Sequence, residues 1–337
     1  MMLRLSLLII AVAPWSWLVQ PSLAANLDEQ LNIQPHNATQ GQSRDVADQW
    51  MQLGNQQAAA GQFDQAAQSW AEAADIYRIL GDTQAQGQAY SSMGNAFVNL
   101  GAYPQAERAF RLRVATARDN NDPLGVVFGL NNLGSLQLNQ GRLNDGQALF
   151  EEALVLARPT GDARAIGLSL SNLGLVAIQR GDYEEAVGLL EPAANYRLQA
   201  QDILGEAHTS NHLGDAYLAL GQDTSAIGAY RVGLRLGAEA DDLDVQLRAL
   251  DGLLTIYFDR NQLDTAKSFL DRRIALTLNT SAPDQQTAIT LRWLGDYYSA
   301  TGDRDSAKDV YNRGLALSRS LGIKSLEAEF SNRLLQL

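Results

Sequence analysis

The stretch GLNNLGSLQLNQGRLNDGQALFEEALVLARPTGD, Gly129 to Asp162, decides the fold. Leu130, Leu133, Leu136 and Leu138 give a first helix its apolar face. Gly141 ends that helix, because glycine enters the left-handed conformation without a steric penalty. Leu149, Phe150, Ala153, Leu154 and Leu156 form the stripe of a second helix. Gly161 and Asp162 close the unit, with Asp162 placed to cap the next helix. Equivalent polar joints stand at Gly81-Asp82, Asn121-Asp122, Gln201-Asp202 and Asp241-Asp242.

The same unit returns along the chain. Gly141 belongs to a column with Gly61, Gly101, Gly181 and Gly221; Asn261 takes the next place and Gly302 follows one residue late. Seven residues before it lies a second column of Gly54, Gly94, Gly134, Gly174, Gly214, Leu254 and Gly295. Five residues after it come Ala66, Ala106, Gly146, Ala186, Ala226, Ala266 and Ala307. A fourth column holds Trp70, Phe110, Phe150, Leu190, Tyr230, Leu270 and Tyr311. The period is 40 residues, with one insertion before the last unit.

One hairpin cannot bury its own apolar face, so stacking is required. The expectation is an all-α solenoid of seven antiparallel helix hairpins over residues 44–321, followed by a C-terminal capping helix over 322–337. In that cap, Leu326, Phe330 and Leu334 are set to cover the last hairpin. A glycine inside a helix costs about 1 kcal/mol relative to alanine. Its return at one register predicts close approach of the partner helix, with the small column at Ala66, Ala106 and Ala186 facing it.

The first residues read differently. Arg4 is followed by the apolar run Leu5 to Val12, Pro14 breaks it, and Ser22-Leu23-Ala24 offers a small-x-small cleavage site. Residues 1–24 are read as a signal peptide and 25–43 as a flexible polar leader, so the mature chain is expected in the periplasm or outside the cell. The alternative is an uncleaved segment running through Trp15, Trp17, Leu18 and Val19 that anchors the chain to the cytoplasmic membrane. Nothing later in the chain is apolar enough to span a bilayer. The formal charge is −12 and the only lysines are Lys267, Lys308 and Lys324, which argues against a nucleic-acid partner. With no cysteine, disulfides and thiolate chemistry are excluded.

LGDAYLALGQDTSAIGAY, Leu213 to Tyr230, and MGNAFVNLGAYPQAERAF, Met93 to Phe110, resemble the tetratricopeptide repeat in its longer-period variety. The resemblance covers residues 44–337 and departs at Leu254, at Asn261 and at the extra residue near Pro283. It implies a right-handed superhelix whose first helices line a concave groove that takes a peptide segment or helix of another protein. The groove positions it implies are Asn95, Asn99, Asn131, Asn132, Asn139, Asn172, Gln179, His208, Asn211, His212, Asp215, Arg248 and Arg292. Asparagine is a middling helix former, so propensity does not explain this amide-rich column. Its side chain both donates to and accepts from a peptide backbone. The competing reading is ordinary polar residues, some tying one unit to the next. The family's lysine-based carboxylate clamp has no match, since Asn, Ser and Asp occupy those positions. A partner with a modest basic segment fits the acidic total.

No catalytic pattern, metal site or cofactor motif emerges. His208 and His212 share a helix face at metal-ligand spacing but lack the Glu of a His-Glu-x-x-His pattern. No phosphate loop or dinucleotide fingerprint is present among the glycines. The sequence therefore points to a non-catalytic protein-interaction scaffold. A structural or self-associating spacer of an envelope assembly is the runner-up, and an enzyme or carbohydrate-binding module ranks last.

Overall fold

The computed structural model describes residues 42–278 and 282–337; the expected signal peptide and all but the last two residues of the expected leader lie outside them. The described residues form fifteen α-helices and no strand. Seven hairpins follow in chain order: α1 (Gln42–Ala59) with α2 (Phe63–Leu80), α3 (Thr83–Asn99) with α4 (Tyr103–Asp119), α5 (Pro123–Asn139) with α6 (Leu143–Ala157), α7 (Ala163–Arg180) with α8 (Tyr183–Gln199), α9 (Ile203–Ala219) with α10 (Asp223–Glu239), α11 (Leu243–Asp259) with α12 (Leu263–Thr277), and α13 (Gln285–Ala300) with α14 (Arg304–Leu321). A single 3₁₀ turn, Arg158–Thr160, follows α6, and α15 (Lys324–Gln336) stands alone at the end. Each helix packs on the next, and from α3 to α11 each first helix also touches the first helix of the following repeat.

The turns come from backbone chemistry placed every twenty residues. The turn column Gly61, Gly101, Gly141, Gly181, Gly221 and Gly302 has φ between 68° and 84°, and Asn261 has φ 53°. Between repeats, Gly81, Asn121, Gly161, Gln201, Asp241 and Gly322 also take positive φ. Asparagine tolerates that conformation better than most residues with a Cβ. The next residue then caps the following helix. Asp82, Asp122, Asp162, Asp202 and Asp242 each accept a hydrogen bond from the backbone N–H three residues on. Where the extra residue falls, Asp284 and Thr287 form a full capping box at the start of α13.

The first-helix glycines are packing glycines, as expected, and the large residue of the second helix shares the contact with the small column. A Cβ on Gly94 would lie 2.1 Å from the Phe110 ring, on Gly134 2.4 Å from Phe150, on Gly214 2.5 Å from Tyr230 and on Gly295 2.3 Å from Tyr311. The large residue of the second helix thus lies on the glycine backbone, with the small column beside it: a Cβ on Gly146 would lie 3.0 Å from the Gly134 carbonyl oxygen. Repeat 6 breaks the rule consistently, since Leu254 and Leu270 replace glycine and aromatic and both are buried. The apolar interior runs along the stack; its largest cluster extends from Ala106 to Ala193. At the C-terminal end the ring of Phe330 seats on Gly314, and Leu326 and Phe330 are buried, so α15 closes the last hairpin.

The seated ring has a second duty. Trp70 donates its Nε1–H to Asn55 at 3.2 Å, the Tyr230 hydroxyl donates to Asp215 at 2.8 Å, and the Tyr311 hydroxyl donates to Asp296 at 2.7 Å. Asn95 stands in the same column as Asn55, Asp215 and Asp296, but its ring is Phe110, and its enclosed Oδ1 has no partner. Phe110→Tyr is expected to supply the missing O–H and raise stability by about 1 kcal/mol. The denaturant midpoint reads it; a fall would show that the site has no room for a hydroxyl.

Candidate functional site

The polar column on the first helices forms a continuous seam from repeat to repeat. In repeats 2 to 5 it is built of amides and hydroxyls. Asn132 Nδ2 donates to Ser91 Oγ at 3.2 Å, joining α5 to α3. Asn131 Nδ2 donates to the Val127 carbonyl at 2.9 Å and to Ser169 Oγ at 3.0 Å, and its Oδ1 accepts from Asn172 Nδ2 at 2.8 Å, joining α5 to α7. The Ser171 and Thr209 hydroxyls lie 2.9 Å apart between α7 and α9, and Asn211 Nδ2 donates to the Val245 carbonyl of α11 at 3.0 Å.

From repeat 5 onward the seam is ionic. Arg248 of α11 pairs with Asp215 of α9. Asp251 accepts from Trp293 Nε1 at 2.6 Å and lies 3.3 Å from Arg273 Nε. Arg333 of α15 reaches Asp296 of α13, with Nη2 to Oδ2 at 3.1 Å. Arg292 lies 3.5 Å from Glu329 and 3.8 Å from Asp296, with its guanidinium 4.5 Å from the centre of the Trp293 ring.

This geometry corrects the expectation of an open amide groove. Asn95, Asn131, Asn132, Asn172, Asn211 and His212 are buried, and α7 is buried at every residue from Ala165 to Ile178. Consecutive first helices come within hydrogen-bond reach, so a neighbouring repeat takes up most of these amides; an enclosed amide without a partner costs about 1–3 kcal/mol. Asn99 is exposed and donates to the Asn95 carbonyl at 3.1 Å. Asn139 and Gln179, near the C-terminal ends of α5 and α7, are half-buried, as are His208, Asp215, Arg248 and Arg292. The reachable part of the seam is therefore the helix ends of repeats 2 to 4 and the charged face of repeats 5 to 7.

Three buried arginines of the second helices escaped the sequence reading: Arg113, Arg197 and Arg273. A large residue stands at 113 and 273 where the sister repeats have Ala153, Ala193 and Gly233, and that break in the pattern was the available signal. Arg197 pairs with Asp202, the cap of α9. Among the described residues no group of three histidine or acidic side chains could hold a metal ion, and no helix is long and apolar enough to cross a membrane.

His208 and His212 sit where the seam turns ionic, near the pairs Arg197–Asp202 and Arg248–Asp215. Burial pushes His208 down to about 4; Arg197 and Arg248 add to the fall, while Asp242 and Asp202 oppose it. Burial also holds His212 well below its ordinary value, helped by Arg248 and by His208. A depressed folded-state value has one sign of linkage. Above the ordinary value of 6.5 both states are neutral and nothing is lost. As pH falls below it, the unfolded chain takes up protons that the folded chain refuses, and stability drops until the folded value is passed. The loss between those limits is on the order of 3 kcal/mol for His208 alone. Urea midpoints across this range should slope less in a His208→Gln, His212→Gln double variant. Equal slopes in the two proteins would remove the histidines as the cause.

Comparison with known proteins comes at the level of the repeat. The tetratricopeptide repeat profile matches residues 128–199 and 293–321. No curated protein matches the sequence. Among solved structures, the signal-transduction ATPase with a tetratricopeptide repeat sensor from Pyrococcus horikoshii superposes with a TM-score of 0.64 at 16% identity, over 85% of this chain and 44% of that one. BtubC from P. vanneervenii gives 0.57 at 19% identity, over 66% of this chain and 93% of that one. A Rap protein complexed with Competence and Sporulation Factor gives 0.54 at 15% identity, over 81% and 74%.

Proposed function

The chain belongs to the tetratricopeptide-repeat family, and we propose from that premise that it is a non-catalytic scaffold that holds a peptide segment or helix of a partner protein against its first helices. The observation that carries this reading is the seam itself. Its middle is consumed in joining repeats, but its outer parts keep half-open polar groups in a fixed row: Asn99, Asn139 and Gln179 at one side, Asp215, Arg248 and Arg292 further along. Groups held on rigid helices bind with little ordering cost. The Rap structure, solved with a bound factor, supports a protein ligand for a stack of this fold.

The test is a pull-down from the native organism with the chain from residue 25 onward. Recovery of a partner that falls with Asn99→Ala, Asn139→Ala and Gln179→Ala together, at an unchanged melting midpoint, supports the groove. Recovery of only the protein itself, with a size that grows with concentration in light scattering, replaces it by the self-associating spacer.

The N-terminal segment supports a location outside the cytoplasmic membrane. Cell fractionation with N-terminal sequencing checks it: a chain beginning at Ala25 in the exported fraction is expected, and a cytosolic chain beginning at Met1 or Met2 overturns it.

A further inference from the structure

Arg113 is the unpaired member of a set whose other members are paired. It rises from α4 and threads between two first helices. A Cβ on Gly129 of α5 would lie 3.4 Å from its Cγ, and a Cβ on Gly87 of α3 would lie 3.2 Å from its Nη1. The side chain is buried, with only 9% of the residue exposed. Its Nε is enclosed without an acceptor, and among the described residues no hydrogen bond or ion pair reaches its terminal nitrogens.

The repeat register shows what is missing. Arg273 stands four periods later in the same column and lies 3.3 Å from Asp251. Four periods before Asp251 stands Ser91, which carries no charge and accepts from Asn132. Arg197 finds its carboxylate another way, by pairing with the cap residue Asp202. Two periods earlier those places hold Ala117 and Asp122. Arg113 is thus one helical turn, about 6 Å, too early on its helix to grip Asp122 as Arg197 grips Asp202. Asp122 exerts only a weaker pull on it, and burial pushes the guanidinium down to about 10. An enclosed arginine without a counter-charge is costly, and the usual remedy is a bidentate carboxylate.

We propose that Arg113 is a ligand-reading residue: it takes a carboxylate of the partner's bound segment into the place that Asp251 fills for Arg273. This rests on the groove reading above and adds the chemistry of one contact. The overall charge of −12 repels an acidic ligand at long range, but that repulsion is screened by salt while the enclosed contact is not.

The test uses fluorescence anisotropy with the chain from residue 25 onward and three fluorescein-labelled short peptide pools. All three have randomised flanks: a central Glu with an amidated end, a central Gln with an amidated end, and a central Gln with a free C-terminal carboxylate. At least one acid pool is expected to bind about tenfold or more tightly than the neutral pool, and which one does tells side chain from terminus. The preference is expected to vanish in Arg113→Gln. It should also vanish in Ser91→Asp, which gives Arg113 a carboxylate of its own and raises the melting midpoint. The two variants fail by different routes, so one folded variant suffices. Equal binding of all pools overturns the Arg113 assignment and leaves the groove standing. No binding of any pool overturns both.

Discussion

Gly134→Leu is expected to destabilise the protein by about 3 kcal/mol or more, through overpacking inside the stack. A Cβ there would lie 2.4, 2.7 and 2.8 Å from Cε1, Cδ1 and Cζ of Phe150. The ring cannot step aside, because it is fully buried and belongs to the cluster running from Ala106 to Ala193. Leucine adds three further carbons beyond that Cβ. The damage should spread, since each repeat is stable only on its neighbours. Gly188→Ala is the matched control. Gly188 is exposed on α8 and a Cβ there meets nothing within 4 Å, so helix propensity alone should give a gain of up to about 1 kcal/mol. Thermal and denaturant midpoints of the two variants must move in opposite directions. An unmoved midpoint in Gly134→Leu would mean that Phe150 is not seated on that backbone.

The contrast between those two glycines marks how far the sequence could be read. Turns, caps and hairpin lengths were legible because their causes are local: a positive-φ residue at Gly141 and an aspartate cap at Asp162 act within a few residues. The repeat register then placed Gly134 against a helix, while Gly188, outside the four columns, carried no such message. The approach of one repeat to the next is a different kind of quantity. Asn131 and Asn172 look like groove amides in the sequence, yet they bond to each other across repeats and are buried. Only the spacing between consecutive first helices decides that, and no single repeat contains it. For Arg113 and Arg273 the cause lies inside one repeat, between its two helices. They share one column, but their pairing depends on Ser91 or Asp251 in a neighbouring helix. The reading of residues 1–24 as a signal peptide lies outside the described residues.

That dependence makes Asp251 the most sensitive polar position of the stack. Its carboxylate serves two helices at once: it lies 3.3 Å from Nε of Arg273 on α12 and accepts from Trp293 Nε1 on α13 at 2.6 Å. Arg273 is fully buried, and its other polar contact is a hydrogen bond from Nη2 to Gln286 at 3.0 Å. Asp251→Ala would leave the buried guanidinium with Gln286 as its remaining polar contact and the indole N–H without its acceptor. The Asp251 side chain is itself a third exposed, so a loss of about 2–3 kcal/mol is expected, below the range for breaking one side of a fully buried pair. Most of that loss is the stranded charge and not the worth of the bond, so removing the charge as well should restore stability. The double variant Asp251→Ala, Arg273→Met is therefore expected to be markedly more stable than Asp251→Ala alone. Denaturant midpoints of the wild type, both single variants and the double variant give the coupling directly. If the four values add without interaction, Asp251 and Arg273 do not depend on each other, and their ion pair does not hold α11 to α12.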